Sequence, residues 1–469
     1  MKRSYPVGNR TFGKTGKRPI AFVGKLETSD RISLVGWGRV ERDCLWVLNK
    51  DIKMGIIKFL RNLAIQLAKF IDTNDGGNGD NSAGEDSQDY AKFIIELLKA
   101  ESSYSGIQVI YPILKQRQHL LNARFAETLQ QVAQRLIADE NPEAIEFIVG
   151  LIENLSVHIS DFPLGSKANN IEIAITGYQI VLNNRQPGSE KFAQTQNNLA
   201  NAYSDRINGS RAENVERAIE FYQAALTVRT LEDFPEYWAM TQNNLAVAYR
   251  NRINGSRAQN LERAIEFFQA ALTVYTLEDF REYWAGTQNN LAVAYSNRIN
   301  GSRAENLKRA IEFFQAALTV YTLEDFPEYW ATTQNNLATA YSDRINGSWT
   351  ENLERAIEFY QAALTVRTLE DFPFNNVETL NNLGWDYLAK LDYINQEKPE
   401  DTNQKAATLQ TAYDTFKKAI TGAAKLRKLE SGNETKQKHD LQWDRLQGAT
   451  IAPKPLQANV FALQTHFIK

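Results

Sequence analysis

Residues 242–275 read QNNLAVAYRNRINGSRAQNLERAIEFFQAALTVY, and the stretch decides the fold because it does not occur once. QNNLA starts at Gln196, Gln242, Gln288 and Gln334, NNL returns at Asn381, and every step is 46 residues. RAIEF keeps the same period at Arg217, Arg263, Arg309 and Arg355. A constant period over this many copies marks tandem duplication of one structural unit. Within the unit, Trp238, Leu245, Ala246, Ala248 and Tyr249 fall on one helical stripe, which continues to Arg252 and Ile253. Asn254-Gly255 stops that helix, since both residues tolerate the left-handed backbone of a helix exit. Asn260 reads as the N-cap of a second helix whose Leu261, Ala264, Ile265, Phe268, Ala271 and Leu272 recur at three-and-four spacing. TLEDF closes the unit, and Pro235 or Pro327 stands where the next helix begins. Two such helices cannot bury their apolar stripes alone. Neighbouring units must stack, and the spacing predicts an all-α solenoid.

These residues resemble the tetratricopeptide repeat, whose first helix carries a large apolar residue, a small one directly after and an aromatic four beyond the first. Its second helix carries a small residue, an aromatic four later and a small residue three after that. Leu245, Ala246, Tyr249, Ala264, Phe268 and Ala271 match in order, as repeat-packing positions. The sets starting at Leu199, Leu291 and Leu337 match equally well, and a fifth starts at Leu383-Gly384 with a longer, more polar inner loop. Leu155, Ser156, Ile159, Ala174, Tyr178 and Val181 form a degenerate copy before them. The resemblance implies a right-handed α-α superhelix. The repeat here is 46 residues against about 34 in the common form. The longer helices are similar to the kinesin-light-chain branch of the family, and the near-identical joints to bacterial arms that accompany caspase-like CHAT protease domains. No such domain is present in this sequence.

Outside the array the chain divides by composition. Residues 1–53 form a basic leader expected to lack order, with eleven Lys or Arg against four acids in the first fifty, and Met54 is a second candidate start. Residues 54–71 read as a basic amphipathic helix with Ile57, Leu60, Leu63, Ala64, Leu67 and Ile71 apolar. It suits either a peripheral membrane anchor or a helix docked on protein. Residues 72–89 read as a flexible acidic linker, 90–141 as a helical cap in which Pro112 bends or breaks the second segment, 142–430 as the solenoid and 431–469 as a C-terminal tail.

Composition excludes several classes of activity. With 53 Lys+Arg against 56 Asp+Glu the chain is near neutral, which does not suit a dedicated nucleic-acid binder. Cys44 is the lone cysteine, so neither an internal disulfide nor a thiolate zinc cluster can form, and a cytoplasmic setting is expected. Gly8 to Thr15 fits the phosphate-loop pattern, but only MKRSYPV precedes it where a buried strand is needed, and Gly16 and Pro19 spoil the helix after it. His119, His158, His439 and His466 have no ligand spacing, so no metal, cofactor or catalytic group is expected. The four Asn-Gly-Ser sites read as turns rather than glycosylation sites.

What remains is recognition of protein or peptide partners. Each first helix carries paired asparagines: Asn197/Asn198, Asn243/Asn244, Asn289/Asn290, Asn335/Asn336 and Asn381/Asn382. The family resemblance implies that this helix lines a concave groove where extended peptides lie. Asn offers a donor and an acceptor, so it can hold a peptide backbone without demanding charge. The other reading is that the pairs stiffen the stack. Groove specificity is expected from Asn201, Val247, Val293 and Thr339, which differ between copies. Arg206, Arg252, Arg298 and Arg344 either meet ligand carboxylates or cap their helices. The expected function is a non-enzymatic peptide-binding scaffold; the alternative is a regulatory or membrane-tethered arm for a separately encoded CHAT-type protease or NTPase.

Overall fold

A computed structural model describes residues 81–430 apart from 103–105 and 139. The leader, the 54–71 helix and the tail lie outside the described residues. The described part holds fifteen α-helices and no strand. Four of them begin the described part: α1 (Asn81–Ser102), α2 (Ile107–Gln116), α3 (Ala123–Ile137) and α4 (Pro142–Asp161). Phe93, Ile94, Leu97, Ile110, Leu114, Phe125 and Leu129 bury against Ile152 and Leu155 of α4, so this cap shares one core with the start of the array. Helix α1 begins nine residues inside the segment read as a linker. Adding turns to a helix nucleated by the apolar run from Tyr90 costs less than starting one, which corrects the 81–89 reading. The break in the second cap segment falls at residues 117–122, not at Pro112, which sits inside the first turns of α2.

The array is a succession of antiparallel pairs in which the first helix is A and the second B. Helix α4 pairs with α5 (Lys167–Asn184), α6 (Glu190–Asp205) with α7 (Arg211–Leu226), and α8 (Pro235–Asn251) with α9 (Arg257–Ala271). Next come α10 (Arg281–Ser296) with α11 (Arg303–Leu318), α12 (Pro327–Ser342) with α13 (Trp349–Leu364), and α14 (Pro373–Glu397) with α15 (Thr402–Glu430). Each B helix also packs on the following A helix. Successive A helices touch one another, whereas B helices contact each other less, so the A helices form the inner, tighter layer.

The residues that carry the periodicity make the core. Ala246, Ala264, Phe268 and Ala271 are fully buried, as are their counterparts Ala292, Ala310 and Ala317. Alanine at these crossings lets backbones approach while one aromatic per B helix fills the wedge, a burial of roughly 1.5–3 kcal/mol each. Leu155, Ser156, Ile159, Ala174, Tyr178 and Val181 are all buried, so the degenerate copy packs as a true one.

Three details depart from the sequence reading. Ser256, not Asn260, caps α9: its Oγ accepts from the Gln259 N–H at 3.5 Å, and Ser210, Ser302 and Ser348 do the same in their copies. Asn260 is buried one turn inside, where its Nδ2 donates to the Asn254 carbonyl at 2.9 Å and clamps the loop. The A-helix stripe ends at Asn251, leaving Ile253 exposed rather than continuing it. In the fifth copy the extra residues lengthen both helices instead of the loop, because Leu391 and Ile394 are apolar at helical spacing and are buried.

Candidate peptide-binding groove

The two asparagines of each pair do different jobs. Asn197, Asn243, Asn289 and Asn335 are buried, and each faces a threonine of the next A helix. Thr241 Oγ1 lies 3.4 Å from Asn197 Oδ1, Thr287 3.4 Å from Asn243, Thr333 3.3 Å from Asn289 and Thr379 2.9 Å from Asn335. In the first three the hydroxyl also lies 2.8 Å from a carbonyl of its own helix, so its hydrogen is shared. The first asparagine is therefore a stacking residue. Among the described residues no repeat follows the last copy, and Asn381 is only partly buried.

The second asparagine is one helical step round, on the inner face of the A layer. Asn198, Asn290, Asn336 and Asn382 are half-buried, while Asn244 is buried. Asn198 donates to Glu153 Oε1 at 3.2 Å, Asn244 to Asn201 Oδ1 at 3.3 Å, and Asn290 to Asn243 Oδ1 at 3.4 Å. Each of these bonds uses the amide nitrogen; the Asn244 amide oxygen in turn accepts from Asn243 Nδ2 at 3.4 Å, whereas those of Asn198 and Asn290 accept no bond from a described residue. Three residues further along the same face stand Asn201, Val247, Val293, Thr339 and, in the last copy, an exposed Trp385 that meets Phe416 edge-on at 5.8 Å.

The variation at that position has an internal cause. Tyr222 OH donates to Asn201 Oδ1 at 2.5 Å, and Thr339 Oγ1 lies 2.9 Å from Tyr360 OH. Where the B helix carries Phe268 or Phe314 instead of tyrosine, the partner is Val247 or Val293. A buried phenol needs a polar partner and a phenyl ring does not. The four residues thus differ first because of the aromatic behind them, which corrects their reading as specificity residues alone.

Both readings of the arginines give way to a third. Arg252 makes a two-point bond to Glu216 of the preceding B helix, with Nε–Oε1 and Nη2–Oε2 both 2.8 Å, and its guanidinium lies 5.6 Å from the Tyr249 ring centre. Arg206 and Arg298 repeat the pairing with Glu172 and Glu262, and hydrogen bonding to the carboxylate holds each guanidinium above its ordinary pKa. The helix-capping arginine is a different one: Arg257 donates to the Arg250 carbonyl, as Arg211 and Arg303 do to Ser204 and Ser296. Lys308 stands where the next glutamate would be, and Arg344 finds no carboxylate there.

Buried charge concentrates at the ends of the array. At the cap joint, Arg185 donates to Glu153 Oε2 at 2.5 Å and to Thr195 Oγ1 at 2.7 Å. Burial raises the Glu153 pKa, opposed by Arg185 and its other donors. Arg229 is fully buried against Glu190 at 2.9 Å, and Arg367 donates to Thr379 at 3.0 Å. The central copies carry Tyr275 and Tyr321 at this position, stacked on Tyr283 and Tyr329. The sequence reading missed this series, although Arg229, Tyr275, Tyr321 and Arg367 recur on the 46-residue period. Among the described residues no group of His, Cys, Asp or Glu is arranged to hold a metal ion, and no helix is long and apolar enough to cross a membrane.

The repeat boundaries agree with those of two matching family models. A family model described as Tetratricopeptide repeat matches residues 192–235, 238–275 and 284–322, and one described as Sel1 repeat matches 331–365. The matched segments coincide with the A–B pairs of the first four regular copies. No curated protein matches the chain. Among solved structures, the chain is similar to a TPR repeats protein from Bacteroides fragilis, with 19% identity over 54% of this chain and 99% of that one and a TM-score of 0.21. The chain therefore carries tetratricopeptide repeats over 192–322 and a Sel1-type repeat over 331–365, and repeats of the matched kinds are non-catalytic and generally mediate protein–protein interaction.

Proposed function

We propose that this protein is a non-enzymatic scaffold whose inner A-helix face binds extended segments of partner proteins. The observation that carries the reading is the second asparagine: Asn198, Asn290, Asn336 and Asn382 recur at one helical position and remain half-exposed. The Asn336 and Asn382 side chains make no hydrogen bond to any described residue, so donor and acceptor are both available there. Their spacing along the inner layer suits backbone amides of an extended chain, which need one donor and one acceptor at each contact. Val247, Val293 and Trp385 add apolar contact beside them, and the exposed indole is a residue type favoured as an anchor at interfaces.

The test replaces Asn198, Asn290, Asn336 and Asn382 with Ala in the full chain and compares captured proteins by mass spectrometry. The proposal expects the helical signal to persist while bound partners fall away. An unchanged set of partners on a folded variant would contradict it. Replacing Asn243 and Asn289 does not serve, because those two hold the stack. Peripheral membrane contact through 54–71 is a separate proposal, checked by liposome sedimentation of the full chain against a variant lacking that segment.

A further inference from the structure

Apart from the groove, the solenoid has two long edges, and both carry an exposed apolar row. Every A–B loop lies at one end of the helices and every B–A loop at the other. On the first edge, Ile253, Ile299 and Ile345 are 60, 59 and 61% exposed. On the second, Leu231, Leu277 and Leu323 are 48, 45 and 50% exposed. A single exposed apolar residue needs no explanation, but six in two registered rows form a surface of definite pitch.

The edges differ in charge. Each of the stretches 231–236, 277–282 and 323–328 carries three carboxylates, offset only by Arg281. Opposite, 250–257 carries three arginines and no acid, 296–303 two arginines and no acid, and 342–349 one of each. Arg252 and Arg298 are paired within the array, and Arg303 meets Asp343 at 2.7 Å. Arg257, in the centre of the edge, meets only the Arg250 carbonyl and no carboxylate. The second edge is strongly acidic, and the middle of the first presents one exposed cation without a carboxylate, Arg257, since Arg250 is buried.

We propose that the partner of each edge is the other edge of a second copy of this chain. A partner must match three apolar residues at the array's own pitch. Both rows come from the same 46-residue unit, so their pitches agree by construction. A copy displaced along the helix axes, by the roughly 24 Å that a sixteen-residue helix spans, sets the Ile row of one molecule over the Leu row of the next. The same displacement faces Arg257 toward the carboxylates. The contact joins unlike surfaces, so it does not close on itself and propagates side by side. This assembly leaves the inner A-helix face open and stands independently of the groove proposal.

Sedimentation of the full chain over a range of concentrations and salt tests it. Two variants are needed: Ile253→Asp/Ile299→Asp/Ile345→Asp spoils one edge, and Leu231→Lys/Leu277→Lys/Leu323→Lys spoils the other. All six side chains are exposed, so both variants keep the helical signal of the parent. The wild-type chain is expected to form species larger than dimers with rising concentration, and to dissociate as salt screens the facing charges. Each variant alone is expected to be monomeric. Mixed, they retain one good edge each and should give a 1:1 complex and nothing larger. A wild-type chain that stays monomeric at low salt, a variant that still associates alone, or a mixture that forms no complex would each overturn the proposal. A monomeric chain whose edges take up another protein counts with the first of these.

Discussion

Asp386 occupies the A-helix position held by Ala202, Ala248, Ala294 and Ala340 in the earlier copies. It is buried, with Ser342 Oγ 2.6 Å from each carboxylate oxygen and Tyr360 and Asp343 nearby. Burial drives its pKa up to about 7, while Ser342 works in the other direction. The unfolded chain holds it near the ordinary carboxylate value of about 3.9. Between these pH values the folded chain binds the extra proton, so stability falls as pH rises through that window and levels off above it. Asp386→Ala should remove the slope, raising Tm at pH 8 by the equivalent of roughly 4 kcal/mol and leaving it nearly unchanged at pH 4. Calorimetry across pH checks both ends. A second residue prediction concerns the joint without its ion pair: Lys308→Glu should gain the two-point bond to Arg344 and stabilise by about 0.2–1 kcal/mol, lost at high salt. Urea titrations at two salt concentrations measure it. At this scale the sequence was legible only in part. The repeated Asn pairs announced a role, but not that their first members point at threonines 44 residues on. That offset joins adjacent A helices and becomes visible only when the stack is built.

Helix boundaries follow from capping chemistry in which neighbouring candidates compete. Ser256 and Asn260 are both good N-caps, and the winner is the one beside Gly255, whose φ of 78° ends the turn. Ser256→Ala should cost about 1 kcal/mol. Asn260→Ala should cost more, because it leaves two loop carbonyls without their donor in a buried site. Denaturation midpoints of the two variants rank them. Gly384 replaces alanine at the crossing of the last pair, and a Cβ there would stand 2.7 Å from the Phe416 ring. Gly384→Ala should therefore destabilise by about 1–3 kcal/mol through overpacking, although the same change in an exposed helix would stabilise. The pairing of helices, their order and the buried stripes could be read from the sequence because the copies repeat them. The length of α14 could not, since that copy alone widens the spacing between its two repeated stripes and its polar extension hides Leu391 and Ile394.

For the whole molecule, each A–B pair leaves an apolar flank that only a neighbour covers. Phe268 packs with Tyr295 and Phe314, and Ala338 with Leu383, in clusters that run from one copy into the next. At the N-terminal end the flank is covered by α1 to α4, tied down by the Arg185–Glu153 pair. Stability should then grow with the number of stacked pairs, as in a one-dimensional chain of coupled units. The inner A-helix face and both edges stay open because the stack uses the remaining surfaces. The most direct test is the urea unfolding of fragments holding one, two and four copies, 238–283, 238–329 and 192–375, followed by far-ultraviolet circular dichroism. The expected result is a single pair with little helix and midpoints that climb with copy number. A single pair that folds alone, with the midpoint of the longest fragment, would contradict the account.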